Sequence, residues 1–424
     1  MSDEKQNRTA NRPAFWKFAA AGASFQAGSS AVDSATVVAS LVNHLTGSVY
    51  AVGAASAVLR LGWLATQLVV GFLAQRSPRR MPYYVFGAFG RASCLLGIAL
   101  LFSLAPNDSG LWTGVIFLIL WTLYAFVSGI VAVPYNDIVA RAIAPEVRSR
   151  LLAWRFFGGG VLALGIAAIV HQLLSEGVVL SAYAWIFALA AALMYLSSVC
   201  FVSAGEPPAP PPALEDMGSR DFAAFLRGGF DTLRSDKRFR IFLYTQWLAG
   251  ATLMALPFYV VTATSAGLGL ADVGILLGAQ TAGSLSSNAL WGLVGDSYGK
   301  LRLLQCVGIL RVAVPLGMLV IMMGNPATHL ALLWSCAALF FAVGALVNGM
   351  TIGYLGYLME ISPDARRPAY SAYFNTLASP AALLPLVGAA IADSISLAVV
   401  FVTTVVAAIF QIYLFLRLER WDAS

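Results

Sequence analysis

Twelve stretches of this 424-residue chain are each apolar over roughly twenty residues or more, the length an α-helix needs to cross the hydrocarbon layer of a bilayer. They run near 17–42, 49–73, 82–104, 111–138, 151–173, 180–203, 241–265, 272–295, 302–323, 329–358, 369–392 and 395–417. Only helices and closed barrels satisfy every backbone N–H and C=O in lipid, and runs this long without strand-like alternation predict helices. The composition agrees, because 59% of the residues are apolar and 11% charged. Soluble domains carry about a quarter charged residues, so most of this surface has to face something other than water. Met1 to Pro13 is polar, and the apolar run after it is too long for a signal-peptide core, so no cleaved leader is expected.

Charge placement orients these helices. Basic residues occur at Lys5, Arg8, Arg12 and Lys17, at Arg76, Arg79 and Arg80, and at Arg141, Arg148 and Arg150. The series continues with the cluster from Arg220 to Arg240, then Lys300 and Arg302, Arg366 and Arg367, and Arg417 and Arg420. The alternate connections, near 43–48, 105–110, 174–179, 266–271, 324–328 and 393–394, contain no Lys or Arg. That asymmetry predicts both termini in the cytoplasm, as an even helix count also requires; the expected location is the bacterial cytoplasmic (inner) membrane, as a multi-pass protein. The net charge of +6 therefore reads as topology rather than as a nucleic-acid stripe.

The expected organisation is a cytoplasmic N-terminal segment (1–16), a six-helix bundle (17–203), a cytoplasmic linker (204–240), a second six-helix bundle (241–417) and a cytoplasmic tail (418–424). The linker contains Pro207-Pro208-Ala209-Pro210-Pro211-Pro212, an extended spacer. Phe222, Phe225, Leu226, Phe230 and Leu233 then recur at helical spacing among Arg220, Arg227, Arg234 and Lys237, a basic amphipathic helix suited to the membrane surface.

The two halves repeat one another. Gly71-Phe72-Leu73-Ala74-Gln75-Arg76-Ser77-Pro78-Arg79-Arg80 follows the second stretch, and Gly292-Leu293-Val294-Gly295-Asp296-Ser297-Tyr298-Gly299-Lys300 follows the eighth. Arg91 and Gly97 match Arg311 and Gly317 with the same spacing, and Pro145-Glu146-Val147-Arg148 matches Pro363-Asp364-Ala365-Arg366. A tight basic loop of the form G-x-L-x-D-x-x-G-[KR]-[KR] after the second helix, echoed after the eighth, resembles the major facilitator superfamily. The match is best at Gly292, Asp296, Gly299 and Lys300, whereas Gln75 and Pro78 depart from it. The resemblance covers all twelve stretches. It implies an all-α membrane protein of twelve transmembrane helices in two pseudo-symmetric six-helix bundles around a central cavity that opens alternately to either side. Such basic, glycine-containing loops suit a gate, with Gly71, Arg76, Arg79, Arg80, Gly292, Asp296, Gly299 and Lys300 as its expected parts and topology and turn geometry alone as the competing explanation. Asp137 and Glu360 are expected gate partners for Arg148, Arg366 or these loops, with helix-end solvation as the alternative.

Ionisable residues inside a spanning helix are expensive and default to function. Asp33 and Arg60 lie at similar depth in the first two stretches, each on a polar stripe: Gln26, Ser29, Ser30, Asp33 and Thr36 on one, Arg60, Trp63 and Gln67 on the other. The repeat places Gln280, Gly283 and Ser287 at matching positions of the eighth. Gln26, Asp33, Arg60, Trp63, Gln67, Gln280 and Ser287 are the expected solute contacts, with Asp33 also the expected proton-coupling site. An ion pair that merely locks the first helix to the second is the alternative. Arg91 and Arg311 sit on helices that the resemblance puts on the outside of each bundle, so structural roles are expected for them.

Other chemistry lacks its residues. The four cysteines have no C-x-x-C partner, and His44, His171 and His329 fall on separate connections, so neither metal nor disulfide is expected. No G-K-[ST] phosphate loop and no nucleophile–base spacing suggest an ATP-driven pump or an enzyme. The expected protein is a monomeric secondary transporter of a small solute in the lipid bilayer, with no cofactor, no nucleic-acid partner and protons as the candidate coupling ion. The solute class leans to polar or anionic compounds. An exporter of amphiphilic or aromatic compounds, and a non-transporting receptor on a transporter fold, are the competing readings.

Overall fold

A computed structural model describes residues 12–74, 79–105, 110–176, 178–208, 222–324, 326, 328–362 and 367–422. Among these residues the secondary structure is helical throughout, without a strand. The first half contains α1 (Arg12–Ala31), α2 (Val37–Thr46), α3 (Val49–Ala74), α4 (Met81–Leu104), α5 (Gly110–Ile130), α6 (Ala132–Ala142), α7 (Pro145–Glu176) and α8 (Val179–Ala204). The amphipathic segment of the linker forms α9 (Phe222–Ser235). The second half contains α10 (Lys237–Ser265), α11 (Asp272–Ser297), α12 (Lys300–Gly324), α13 (His329–Ile361), α14 (Arg367–Ala378), α15 (Leu384–Ser394) and α16 (Leu397–Asp422), with a 3-10 turn over Ser379–Leu383 between α14 and α15.

Ten of the expected crossings are helices long and apolar enough to span a membrane. The other two, the first and the eighth, are helical as well, at α1–α2 and α11, but they carry the densest polar stripes. Three expected helices prove to be interrupted. The first breaks because the Asp33 carboxylate competes for the backbone: its Oδ1 accepts from the amides of Ala35 and Thr36, each at 3.0 Å, and from the Thr36 hydroxyl at 2.9 Å. These bonds tie down N–H groups in the turn just before α2 that no intrahelical carbonyl can reach. The fourth breaks at Val131, three residues before Pro134, whose ring nitrogen has no hydrogen to donate. The eleventh tightens into the 3-10 turn at Pro380 and resumes with Pro385 in its first turn.

The chain divides into two compact units, residues 1–47, 58–214 and 270–278 in one, and 48–57, 215–269 and 279–424 in the other. The helix contacts inside each half repeat. In the first, α1 packs on α7 and α8, and α4 packs on α5 and α8. In the second, α10 packs on α15 and α16, and α12 packs on α13 and α16. The sequence repeat is thus also a repeat of neighbours.

With lipid outside, helix association relies on close packing rather than on water-driven burial. At the α11–α13 crossing, side chains on Gly283 and Gly344 would run into the carbonyls of Phe341 and Gln280 respectively. Aromatic residues fill much of the remaining interior. Tyr84 stacks on Phe201 at 3.9 Å between ring centroids, and Phe117 stacks on Trp121 at 5.9 Å. Phe242 stacks on Phe374 at 4.9 Å in the second half.

Candidate functional site

The first unit contains a partly open cavity of about 190 Å³. All six crossings of the first half contribute to its wall. Gly22 and Phe25 come from α1, Trp63 from α3, and Tyr84 and Arg91 from α4. Ser128 and Tyr135 come from the interrupted fourth crossing, Arg155 from α7 and Ser197 from α8. The break before Pro134 helps to shape this wall, because Val131, Ala132, Tyr135 and Asn136, on either side of the proline, all line the space.

Two guanidinium groups dominate its electrostatics. Arg91 is 4% exposed, and its guanidinium carbon lies 4.4 Å from the centre of the Phe25 ring. Arg155 donates through Nη1 to the Tyr135 hydroxyl at 2.9 Å and lies 5.0 Å from the Tyr135 ring centre and 6.0 Å from that of Phe25. Aromatic faces hold cations by their ring quadrupole, but they supply no negative charge. Nε of each arginine lacks an acceptor, and among the described residues neither guanidinium meets a carboxylate. The space that admits them comes from a glycine: a methyl group on Gly22 would overlap Cγ and Cδ of Arg155. Ser197 is already committed, donating to the Ala21 carbonyl at 2.7 Å.

Of the seven expected contact residues, Trp63 lines this cavity, 46% exposed. Gln26 packs against Gly159 of α7 with its Oε1 unpartnered. Asp33 holds the turn before α2 through the amides of Ala35 and Thr36, and it acts electrostatically on Arg60. Gln67 Nε2 and Gln280 Oε1 are buried without hydrogen-bond partners, whereas Ser287 bonds back to the Ser284 carbonyl at 3.2 Å. Arg91, expected on the outside of its bundle, faces inward onto the cavity. Arg155 was not singled out at all. Its signal is the one that marked Arg60, a lone cation within an apolar stretch.

A second charged cluster lies where α4 starts and α8 ends. Arg141 pairs with Asp137 at 2.8 Å and with Glu206 at 2.7 Å, and Arg80 approaches Asp137 at 3.6 Å. Glu206 also accepts the backbone amides of Arg80 and Met81, at 2.8 and 2.9 Å, so it caps the N-terminus of α4. Burial opposes ionisation of this carboxyl, but hydrogen bonds from Arg141 and the two amides prevail and hold it below the usual carboxylate range. Arg148 ties down the end of the preceding helix. Its guanidinium donates to the carbonyls of Ile143 and Ala140, because it follows the end of α6 closely enough to satisfy that helix's free acceptors.

In the second half Asp296 pairs with Lys300 at 2.9 Å, and Arg302 with Glu419 at 2.7 Å. Gly299 between them has φ +87°, the left-handed conformation that favours glycine at a sharp turn. Glu360 and Arg79 are exposed, Gly292 has open space around it, and Gly71 lies in the last turn of α3. Arg76 and Arg366 lie outside the described residues. Among the described residues no group of His, Cys, Asp or Glu side chains is arranged to hold a metal ion.

Solved structures share this architecture. A mutant form of the nucleoside transporter NupG superposes with a TM-score of 0.72 at 12% identity, covering 96% of this chain and 99% of its own. A D-xylose–proton symporter gives 0.68 at 12% identity, over 94% and 96%. An auto-inhibited POT family peptide transporter gives 0.65 at 12% identity, over 97% and 96%. Identity this low shows a common fold and nothing finer. No curated protein sequence matches the chain. The family model of the Major Facilitator Superfamily, however, matches residues 18–384. A match running through both halves, over a helix arrangement repeated within each, means that this chain belongs to the Major Facilitator Superfamily.

Proposed function

We propose that this protein is a secondary transporter that carries a small polar or anionic organic solute by alternating access, as a monomer in the bacterial cytoplasmic membrane with both termini inside. One observation carries the anionic preference: two guanidinium groups border the same cavity without a carboxylate between them. Charges within a membrane protein are normally paired. A solute bearing the missing negative charge supplies the partner, and the anchor is therefore Arg91 with Arg155 rather than Arg60. Arg60 has Asp33 as its electrostatic partner, which supports the helix-locking role for that pair.

Proton coupling follows the analogy with the D-xylose–proton symporter, and Asp33 is the candidate group. The charged cluster at Asp137, Arg141 and Glu206 acts as a latch at the cytoplasmic rim, with the Asp296–Lys300 turn as its counterpart. The reading is of a carrier and not of an enzyme.

Counterflow in proteoliposomes tests it, with sugars, nucleosides, dipeptides and organic anions offered in turn. Accelerated exchange of an organic anion over protein-free liposomes, lost in Arg155→Gln, is the expected result. Folded protein that exchanges none of these solutes leaves the receptor reading in its place. A pH gradient that drives uptake in the natural chain but not in Asp33→Asn assigns coupling to that carboxylate. The aromatic wall of the cavity favours a second reading, export of amphiphilic aromatic compounds, which predicts exchange of neutral aromatics indifferent to Arg155.

A further inference from the structure

We infer that the Arg91–Arg155 cavity binds a single-ring aromatic carboxylate, its carboxylate between the two guanidinium groups and its ring against Phe25 and Tyr135. The inference rests on the transporter reading only in taking the occupant to be a solute; the binding site itself stands on geometry.

Charge compensation sets the sign of the occupant. A buried ion costs several kcal/mol unless it is paired and hydrogen-bonded. Arg91 is almost completely enclosed, and it lies close enough to Arg155 for the two charges to act on each other. Phe25 sits within 4.4 Å of one and 6.0 Å of the other, so one ring serves both cations. Each has a buried Nε without an acceptor, and both residues line the open space. Guanidinium presents its N–H groups as a planar fork that matches a carboxylate, and two such forks can each take one oxygen or share both.

Size and wall chemistry narrow the organic part. An engineered apolar cavity of about 150 Å³ takes up benzene, so about 190 Å³ accommodates one six-membered ring with a carboxylate. The walls are aromatic where a ring would lie: Phe25, Tyr84, Tyr135 and Trp63. Flat rings stack or meet edge-to-face on such walls, which an aliphatic acid of equal volume cannot do. An inorganic anion would leave that surface without a partner.

Benzoate is the probe, titrated calorimetrically into the full-length chain purified in detergent, beside benzamide, cyclohexanecarboxylate and inorganic phosphate. Benzoate is expected to bind saturably, with benzamide weaker by roughly ten- to a hundred-fold, the worth of a charge-assisted hydrogen bond. Cyclohexanecarboxylate should bind several-fold more weakly than benzoate. Arg91→Gln and Arg155→Gln should each weaken benzoate by roughly ten-fold or more. Arg91→Gln should also melt no lower than the natural chain without ligand, since it removes an unneutralised buried charge. A purely structural arginine would melt lower on replacement, so that readout separates the two roles.

Equal affinity for benzoate and benzamide, or no binding of either, overturns the inference. Phosphate that displaces benzoate at equal concentration reassigns the site to inorganic anions and overturns it too. Benzoate that fails to bind while counterflow finds another exchanged solute removes the aromatic acid and leaves the transporter. Benzoate that binds but is never exchanged keeps the site and removes the transporter.

Discussion

Arg91 and Arg311 hold matching places in the two halves, yet their surroundings have diverged. Arg311 is 1% exposed and donates to the Gln411 side chain, with Tyr354 beneath it at 5.6 Å. Gln411 in turn donates to the Thr245 carbonyl at 2.7 Å, and the Tyr354 hydroxyl donates to the same carbonyl at 3.1 Å. That corner is a polar knot joining α10, α12, α13 and α16 in which Arg311 spends one donor on Gln411 and leaves Nε and Nη2 without acceptors. The interval that carries Arg91 to Arg311 also carries Gly22 to Phe242 and Phe25 to Thr245. A slightly shorter one carries Tyr135 to Tyr354 and Arg155 to Phe374. Where the first half sets a glycine against an arginine stem, the second stacks Phe242 on Phe374. One copy of an ancestral pattern is filled with rings and the other is hollowed and charged. The shared arginine alone does not give a cavity bordered by two cations; the small residue on the first helix and the second cation do.

Copying the second half into the first should have the largest effect. Gly22→Phe places a ring where the Arg155 stem runs, and solute exchange should fall to the level of protein-free liposomes while the protein stays monodisperse on gel filtration. Retained exchange would mean that the solute path avoids this cavity. The converse change, Phe242→Ala, opens a void in a packed aromatic cluster. It should cost about 3–5 kcal/mol of stability in denaturant unfolding, and exchange per folded molecule should persist. Loss of exchange in folded Phe242→Ala would give the second half's cluster a direct part in transport.

Arg311→Gln comes next in size. It removes a buried hydrogen-bond donor that Gln411 depends on, so about 1–3 kcal/mol of stability should go, with solute affinity unchanged. Arg91→Gln should show the opposite pattern, affinity lost and stability kept. Identical behaviour of the two variants would erase the distinction between the halves.

Much of this architecture is legible in the residues. Apolar length places the crossings, the Gly292–Lys300 turn and the Arg91–Arg311 spacing expose the repeat, and both depend on local pattern. The site was legible only in part because burial of a cation depends on packing. Nothing near Arg91 in sequence says that Phe25, some sixty-six positions earlier, lies beneath it. Arg155 is visible as a lone charge in an apolar stretch, but its meaning depends on Gly22, which is ordinary by itself. The break at Asp33 was missed for another reason. An unbroken apolar run reads as one helix, and only the carboxylate's reach to Ala35 and Thr36 ends it.

The smallest effect separates the two charged turns. Asp296 is 80% exposed beside Lys300, so solvent screens the pair and Asp296→Asn should alter stability by less than about 0.5 kcal/mol. Glu206 is half-buried, capping α4 and engaged by Arg141. Its carboxyl is held below the ordinary range in the folded protein. A depressed carboxyl stabilises the fold at every pH above its unfolded value, about 4.3, and loses that contribution as pH falls through the folded value. The stability gap between the natural chain and Glu206→Gln should therefore stay constant from about pH 8 to 5 and narrow only in stronger acid. It should be about 1–3 kcal/mol at most, less the share that solvent screening removes from a partly exposed group. Denaturant unfolding at a series of pH values measures it. A gap that closes between about pH 7 and 6 would mean that some other titrating group controls the bonds Glu206 makes to Arg141 and to the start of α4.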